Sequence, residues 1–343
     1  MKTHAIIPVF IPHKGCPNDC VFCNQKAITA RSDDVTPEDV KRTIETYLPT
    51  LRNRGLKTIE IAFFGGSFTG IPMDEQSAFL EVAAEYKRAG LIDKIHMSTR
   101  PDYIDESILD NLLKYDADII ELGVQSFDPE VLAASNRGHT VEDVYRACRL
   151  IKEYGFELGI QLMIGLPGDS MQKCIFSARE AVRLAPSIAR LYPTIVLNDT
   201  ELYNMYKNGS YEPLTTDRAV EITKEMYKIL DDAGINIIRV GLKSTDLITE
   251  GGEIQGHTYH PAFRQLVEGQ IAREQLEEQL VIQLQKDPDC CSFTFASSGN
   301  SFSNMIGNAK RNRLYFEKKY PQLKIRYKTD STLEDGYYTV VKY

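Results

Sequence analysis

The feature that most constrains the fold is a regular alternation of short apolar strands with amphipathic helices over roughly the first 245 residues. This alternation is typical of parallel α/β folds, because each helix returns the chain to the edge where the next strand begins. Six βα units are predicted, whereas a complete (β/α)8 barrel needs eight. We therefore expect an α/β fold, a partial (β/α)6 TIM-like barrel. Its predicted strands are residues 5–11, 58–64, 94–99, 119–125, 157–164 and 189–197.

Helix signals lie between these strands and continue beyond them. Pro37 begins a helix predicted to run to about residue 54, and Thr140 caps another predicted over 141–154. Beyond residue 250 the pattern of strands and helices changes. We therefore expect two domains, over 1–250 and 251–343, the second a small α/β domain. Its predicted elements are a helix at 271–286, a strand at 291–296, a helix at 303–320, and strands at 323–327 and 337–342.

The composition excludes several classes of protein. With 43% hydrophobic and 26% charged residues among 343, the chain is not typical of disordered, collagenous or disulfide-scaffold proteins. Pro8 and Pro12 interrupt the N-terminal apolar run, which lacks a small-residue cleavage site, so no signal peptide is expected. No apolar run is long enough to span a bilayer. We therefore expect a cytoplasmic protein with reduced thiols and no membrane partner.

Three of the seven cysteines fall within eight residues, directly after the first predicted strand: Cys16, Cys20 and Cys23. Three thiolates on one loop can hold three irons of a [4Fe–4S] cluster and leave the fourth iron open. Two alternatives remain at this point. His13 could complete a structural Cys3His zinc site, or the thiols could bind no metal.

Polar residues and glycines lie at the carboxyl ends of the predicted strands, where barrel enzymes carry their chemistry. Side-chain alternation places Glu121, Gly123 and Gln125 on one face of their strand. On the predicted strand 94–99 and just after it, the same alternation places His96, Ser98 and Arg100 on one face. On the predicted strand 157–164 it places Gly159, Gln161 and Met163 on one face. Such residues form either a satisfied internal network or a ligand site, and their convergence on one rim favours the ligand.

The spacing CxxxCxxC, with Phe22 before the third cysteine, resembles the signature of the radical SAM superfamily. FFGGSFTG resembles the glycine-rich motif that follows the second strand in that family. STRPDYI, ELGVQSF, NRGHTVEDV and LYPTIVLNDTELYNMYKNGSY resemble the radical SAM domain of the Elongator catalytic subunit, and LMIGLPGDS resembles oxygen-independent coproporphyrinogen oxidases. The likeness covers about residues 5–245.

This resemblance implies two cofactors, a [4Fe–4S] cluster and S-adenosylmethionine (SAM). It assigns Cys16, Cys20 and Cys23 to the iron, and Arg137 to the methionine carboxylate. It further implies SAM contacts from Gly65, Gly66, Ser67, Ser98, Gln125 and Gln161, and from the backbone near Ile164 and Val196. The implied reaction is reductive cleavage of SAM to a 5′-deoxyadenosyl radical, which abstracts hydrogen from a substrate. A low-potential electron donor such as flavodoxin or ferredoxin is the implied partner.

The substrate expectation is RNA, from the Elongator-like blocks and from a basic segment. Residues 305–328 carry eight lysines and arginines against one glutamate, a net charge of +7 in a chain whose total is −8. The residues expected to contact RNA are Lys310, Arg311, Arg313, Lys318 and Lys319. Tyr315, Phe316 and Tyr327 are interleaved among them and could stack on bases, although a charge run is also typical of a solvated face.

Other functions remain open on the sequence. A tetrapyrrole or small-molecule radical SAM oxidoreductase, a non-catalytic haem-trafficking protein and a zinc-stabilised binding module all fit parts of the pattern. About 93 residues follow position 250, which we expect to be too few for the Elongator subunit's acetyltransferase domain. His257 and His260 are expected to be satisfied loop histidines, with substrate or acid–base contact as the alternative.

Overall fold

The computed structural model describes residues 4–11, 16, 20–24, 35–51, 54–242 and 254–343. His13 and parts of the cysteine loop lie outside these residues. The chain divides into two compact units. We call them the barrel unit, Met1–Ile222 with Met226–Tyr259, and the C-terminal unit, Thr223–Glu225 with His260–Tyr343. The functional assignment of the two domains stays a prediction.

The barrel unit is built on one parallel sheet. Its strands are β1 (His4–Ile11), β2 (Thr58–Gly65), β3 (Lys94–Thr99), β4 (Ile119–Gln125), β5 (Glu157–Ile164), β6 (Ile188–Pro193) and β8 (Asn236–Val240). They lie in the order β1-β2-β3-β4-β5-β6-β8, and every neighbouring pair is parallel. A separate antiparallel pair joins β7 (Val196–Leu197) to β9 (Ile254–Gln255). The expected α/β partial barrel is confirmed.

The sheet holds one more strand than the six predicted, because β8 was not assigned from the sequence. This strand has only five residues, NIIRV, and its first residue is exposed. So short a segment gives little period-two signal. The sixth predicted strand, 189–197, is instead two strands, since the chain leaves the sheet after Pro193 and pairs elsewhere from Val196.

Helices connect the strands of this sheet. They are α1 (Pro37–Leu51), α2 (Met73–Arg88), α3 (Glu106–Lys114), α4 (Pro129–Ala134), α5 (Val141–Glu153), α6 (Met171–Arg183), α7 (Glu201–Lys207) and α8 (Thr216–Asp232). The capping signals act as expected. Thr140 and Asp143 form a reciprocal capping box at the start of α5, which satisfies two backbone N–H groups there. Helix α5 packs against β4 and β5.

The two faces of the sheet differ in burial. On β4, Ile120, Leu122 and Val124 are fully buried, whereas Gly123 on the opposite face is only half-buried. On β5, Gln161 and Met163 are half-buried in the same way. One face therefore carries the apolar core, and the other carries polar residues, of which Glu121 and Gln125 are buried and Gln161 is half-buried.

The C-terminal unit holds a small three-stranded sheet and three helices. Its elements are α9 (Phe263–Lys286), β10 (Ser292–Ser297), α10 (Phe302–Ile306), α11 (Arg311–Lys319), β11 (Lys324–Thr329) and β12 (Tyr338–Lys342). The strand order is β11-β10-β12, with β11 parallel and β12 antiparallel to β10. Its core includes Phe293, Phe295 and Phe316.

One predicted helix of this unit is divided in the structure. The sequence predicts a single helix over 303–320, but α10 ends at Ile306 and α11 begins at Arg311. Gly307 between them has φ of +80°, and Ala309 and Lys310 are also left-handed. Three positive φ values within four residues cannot continue a right-handed helix. A Cβ at position 307 would lie 2.8 Å from the Asn312 backbone nitrogen, so glycine is needed here.

Candidate functional site

The carboxyl ends of β1, β2 and β3 are joined by hydrogen bonds. Gly66 N donates to Ile11 O at 2.8 Å, and the buried Ser67 hydroxyl lies 3.1 Å from Thr99 Oγ1. Gly65 has φ of +112°, and a Cβ there would lie 2.8 Å from Ile11 O. The glycine motif therefore has a structural reason of its own, which is the close approach of the chain to the end of β1.

The described part of the cysteine loop is anchored through Val21. Val21 N donates to Ser135 O at 3.2 Å, and Val21 O accepts from Leu202 N at 2.7 Å. Its side chain packs in an apolar cluster with Val196 and Tyr211. These anchors were missed in the sequence because they join segments far apart in the chain, and an apolar residue between two cysteines gives no distinctive signal.

The three cysteines differ in exposure. Cys16 is exposed, Cys20 is buried and Cys23 is intermediate. Among the residues that the structure describes, no three His, Cys, Asp or Glu side chains form a metal-holding group. The assignment of these thiols to iron therefore stays a prediction that rests on their spacing and on their surroundings.

Arg137 joins the cysteine loop to the end of β4. Its Nη1 donates to Cys20 Sγ at 3.1 Å and its Nη2 donates to Gly123 O at 2.6 Å. The side chain is buried, and its Nε has no hydrogen-bond partner in the described part of the chain. A second guanidinium, that of Arg100, is also buried and forms two hydrogen bonds of 2.9 Å with Asp102.

The two predicted glutamines lie side by side. Gln161 Nε2 donates to Gln125 Oε1 at 3.2 Å, and Gln125 has a left-handed backbone with φ of +68° where the β4–β5 register shifts. A Cβ on Gly123 would lie 3.0 Å from Gln125 Nε2 and 3.5 Å from Arg137 Nη2. Left-handed non-glycine residues cluster at functional sites, where the surrounding structure holds them.

The remaining predicted contacts are in use within the protein. Ser98 Oγ donates to Glu121 Oε1 at 3.2 Å. The carbonyl of Ile164 accepts from Thr194 N at 2.8 Å, and Val196 pairs with Gln255 in the short antiparallel ladder. The structure thus brings Arg137, Gln125 and Gln161 to the rim near Cys20 and Gly123.

A chain of charged side chains crosses the inner face of the barrel, and sequence reasoning found only part of it. His4 Nε2 lies 3.0 Å from Glu60 Oε2, and His96 Nδ1 lies 2.5 Å from Glu60 Oε1. Glu121 Oε2 accepts from Arg190 Nε at 2.6 Å and lies 3.6 Å from His96 Nε2. Alternation along β3 and β4 identified His96 and Glu121 as inward, whereas Glu60 and Arg190 were missed.

These contacts move the pKa values of the network. Burial would raise the pKa of Glu60, but hydrogen bonds from His4 and His96 outweigh it and hold the pKa at about 2. Burial likewise opposes ionisation of Glu121, and the charge of Arg190 with the contacts of His96 holds its pKa at about 2. Burial lowers the pKa of His96, but the carboxylates of Glu121 and Glu60 raise it by more, so the pKa lies above its ordinary value. All three groups are therefore expected to be charged at pH 6.

The two histidines after residue 250 are held in loop contacts. The carbonyl of His257 accepts from both Thr216 N and Thr216 Oγ1, and His260 Nδ1 accepts from Ala262 N at 3.0 Å.

Across the described residues, the structure has no helix with the length and apolar character to cross a membrane.

Two family models match the chain. The model of the radical SAM superfamily matches residues 10–180, and that of the Radical_SAM C-terminal domain matches residues 186–273. Together they span the barrel unit and the first part of the C-terminal unit.

Curated relatives and a solved structure agree with these models. The tRNA uridine(34) acetyltransferase of Methanocaldococcus jannaschii is 30% identical in an alignment of 257 positions that covers 64% of this chain and 47% of that protein. Elongator complex protein 3 of Schizosaccharomyces pombe is 26% identical over 71% of this chain and 54% of its own length. The chain thus spans about half the length of these relatives. The archaeal Elp3 of Methanocaldococcus infernus, solved with an N-terminal deletion, shares the fold with a TM-score of 0.62, at 23% identity over 80% of this chain and 64% of that one.

The cofactors of this family are a [4Fe–4S] cluster and SAM, and the described residues fit both. Thiols are the ligands that iron–sulfur clusters use, and the buried thiol of Cys20 lies at the rim of the barrel against the Arg137 guanidinium. The unpartnered Nε of Arg137 is a buried donor that a carboxylate can satisfy.

Proposed function

Because this chain belongs to the radical SAM superfamily, we propose that it cleaves SAM reductively at a [4Fe–4S] cluster held by Cys16, Cys20 and Cys23, and acts on RNA. The observation that carries the proposal is the position of Arg137. One guanidinium contacts the thiol of Cys20 and the end of β4, and still has a buried N–H without a partner. A residue that touches both the iron-ligand loop and the strand rim can orient a ligand that must reach both.

Different residues of this chain hold the cysteine loop and bind SAM. Val21 fixes its stretch of the loop against Ser135 and Leu202, which holds the neighbouring Cys20 beside Arg137. Arg137 offers its free N–H to the methionine carboxylate, and Gln125 with Gln161 offers amide groups to the polar parts of SAM. When bound, the cluster and SAM supply a 5′-deoxyadenosyl radical that abstracts hydrogen from the substrate.

The inner face of the barrel is where we place the substrate. On this face Gln161 and Ser98 are half-buried, whereas Glu60, His96 and Glu121 are buried. The enzyme also needs an electron donor, for which flavodoxin or ferredoxin are the candidates, and a cytoplasmic location would keep its thiols reduced.

RNA is the substrate class that we favour. Curated relatives that share the barrel are named for acetylation of tRNA uridine 34, and the basic segment 305–328 supplies charge suited to phosphates. The product is not assigned, since the chain matches only about half of those relatives.

The test compares two single-cysteine variants, Cys20→Ala and the matched control Cys291→Ala, which removes an exposed thiol of the C-terminal unit. After anaerobic purification, wild type and control are expected to hold about four irons per chain. With SAM and dithionite both should form 5′-deoxyadenosine, and a responsive RNA fraction should stimulate it. Cys20→Ala should lose both iron and cleavage by at least tenfold.

Three results would contradict the proposal. Zinc in place of iron would identify a structural metal site. Iron retained in Cys20→Ala at the wild-type level would remove that thiol from the ligand set. Tight stoichiometric haem uptake without SAM cleavage would indicate a haem-trafficking protein instead.

A further inference from the structure

The C-terminal unit contains a groove of about 740 Å³, within the range of roughly 300–1,000 Å³ that ligand sites occupy. The groove residues that matter here are Phe302, Lys310, Arg313, Arg326, Tyr327 and Lys328. All of them follow residue 273, where the matched family models end, so the groove lies in the part of the chain that these models do not cover.

The groove is strongly positive. Four cationic side chains line it and no carboxylate does. Within the described residues, Lys310 and Arg326 form no ion pair, whereas Arg313 Nε is 2.8 Å from Glu317 Oε1 and the charge of Lys328 helps to lower the pKa of Asp330. Cations left without carboxylate partners on one concave surface favour an anion with several charges.

The groove also has an apolar wall with one buried polar atom. Phe302, Ile306 and Ile325 line it beside Tyr327, whose ring is 5.6 Å from that of Phe295 in an edge-to-face contact. The Tyr327 hydroxyl is buried without a hydrogen-bond partner in the described part of the chain. Burial raises the pKa of Tyr327 to about 12, so the hydroxyl stays protonated and can donate. A ligand with polar edges and a flat apolar face would satisfy this wall.

The loop that carries Lys310 is held in an uncommon conformation. Ala309 and Lys310 are both left-handed, with φ of 48° and 64°. Asn312 fixes the following turn, because its Nδ2 donates to Gly269 O at 2.6 Å and to Asn304 O at 3.0 Å. The chain thus holds Lys310 at the start of α11 by contacts that the fold itself supplies.

Of the five residues that the sequence analysis expected to contact RNA, only some line the groove. Lys310 and Arg313 line the groove, whereas Arg311 and Lys318 do not. Lys319 pairs instead with Glu277, at 2.6 Å. Of the three aromatic residues, Phe316 is fully buried in the core and cannot stack on a base, which corrects that expectation. Arg326, Lys328 and Tyr327 line the groove with the first two cations.

We propose that this groove binds a single-stranded segment of RNA, with phosphates on Lys310, Arg313, Arg326 and Lys328 and a base against Phe302 and Tyr327. The inference rests on the proposed function for the choice of RNA. Positive charge with an aromatic wall is the combination that single-strand binding uses, and a base can enter the groove only when unpaired.

The test measures anisotropy of a labelled single-stranded RNA against KCl concentration, using the full chain purified anaerobically. Four phosphate contacts predict a slope of log K against log salt of about −2.8. Arg326→Ala/Lys328→Ala removes two of the four contacts, so the slope should become shallower, at about −1.4, and binding should weaken at least tenfold. The matched control is Lys286→Ala/Lys324→Ala, which removes the same charge from two exposed residues outside the groove lining and should bind like wild type.

Tyr327→Phe is the second variant, since it keeps the ring contact with Phe295 and removes only the hydroxyl. It should weaken RNA binding about threefold to tenfold with an unchanged melting temperature. Equal losses in the groove and control variants would overturn the proposal in favour of diffuse charge. Displacement of RNA by inorganic phosphate or AMP at micromolar concentration would overturn it in favour of a small-anion site.

The two proposals fail in different ways. SAM cleavage without RNA tests the barrel alone, and RNA binding without SAM tests the groove alone. If wild type cleaves SAM but does not bind RNA, the groove inference is wrong and the radical SAM function stands. If RNA binds in the groove but never stimulates 5′-deoxyadenosine formation, the groove stands and RNA is not the substrate.

Discussion

Arg137 shows at the scale of one residue how the tertiary structure assembles the site. It lies 117 positions from Cys20 in sequence, yet its Nη1 is 3.1 Å from that thiol. In the sequence, Arg137 stands in a turn between two short helices, and only the family resemblance gave it a role. Its two contacts use two nitrogens of a planar fork, which a single ammonium cannot reproduce.

Replacing Arg137 by lysine therefore separates charge from geometry. Arg137→Lys keeps the positive charge but cannot reach Cys20 Sγ, Gly123 O and a carboxylate together. We expect SAM affinity to fall at least about tenfold, which is 1.4 kcal/mol, with iron content unchanged. Equilibrium binding of SAM to the anaerobic protein measures this, with the exposed Arg149→Lys as the control. Unchanged affinity would remove Arg137 from the SAM site.

At the scale of the element, local signals proved sufficient where a helix begins but not where a strand is short. Thr140 and Asp143 mark the start of α5 in the sequence, and both hydrogen bonds of the capping box are present. The five-residue β8 was missed, and the helix predicted over 303–320 is divided at Gly307. A cap acts within four residues, whereas a short strand depends on the neighbour with which it pairs.

Thr140→Ala tests the capping box. The substitution leaves the backbone N–H of Asp143 without its side-chain partner, so we expect a loss of about 1 kcal/mol in the free energy of unfolding. Urea unfolding measures it. Thr46→Ala is the control, because Thr46 is exposed within α1 and alanine there should be neutral or slightly stabilising. A loss in the control equal to that in Thr140→Ala would show that the cap contributes nothing specific.

At the scale of the whole molecule, charge is organised by the fold in two places. The inner face of the barrel collects Glu60, His96, Glu121 and Arg190 from four strands, with little exposure to water. The C-terminal unit collects cations along its groove. The total charge of −8 conceals both, because it sums a basic segment of +7 with a remainder of −15.

The barrel network predicts how stability depends on pH. The folded pKa values of Glu60 and Glu121 are about 2, below their ordinary value of 4.5, so the unfolded chain binds more protons as pH falls. Their stabilisation is complete above about pH 5 and is lost as pH falls from 4.5 towards 2. At 1.36 kcal/mol per pKa unit, each carboxylate contributes up to about 3 kcal/mol.

Urea unfolding between pH 3 and 7 measures this dependence. Glu60→Gln should lower stability at pH 7 and flatten the acid decline, because one of the two titrating groups is gone. The exposed Glu85→Gln should follow the wild-type curve. An acid decline as steep in Glu60→Gln as in wild type would show that this carboxylate does not carry the dependence.

Periodicity, caps and spacing within short stretches of chain were enough to predict the α/β class, most element bounds and the cysteine loop. Strand β5 was predicted to the residue, and the inward faces of β3 and β4 followed from alternation alone. The resemblance added the cofactors, which the family models then confirmed.

Only the tertiary structure decided which of these residues meet. The contact of Arg137 with Cys20, the chain from Glu60 to Arg190 and the groove between Lys310 and Lys328 all join segments that are distant in sequence or separated by a turn of unforeseen geometry. A side chain's partner across a sheet depends on strand order and register, which are set by packing of the whole core rather than by local sequence.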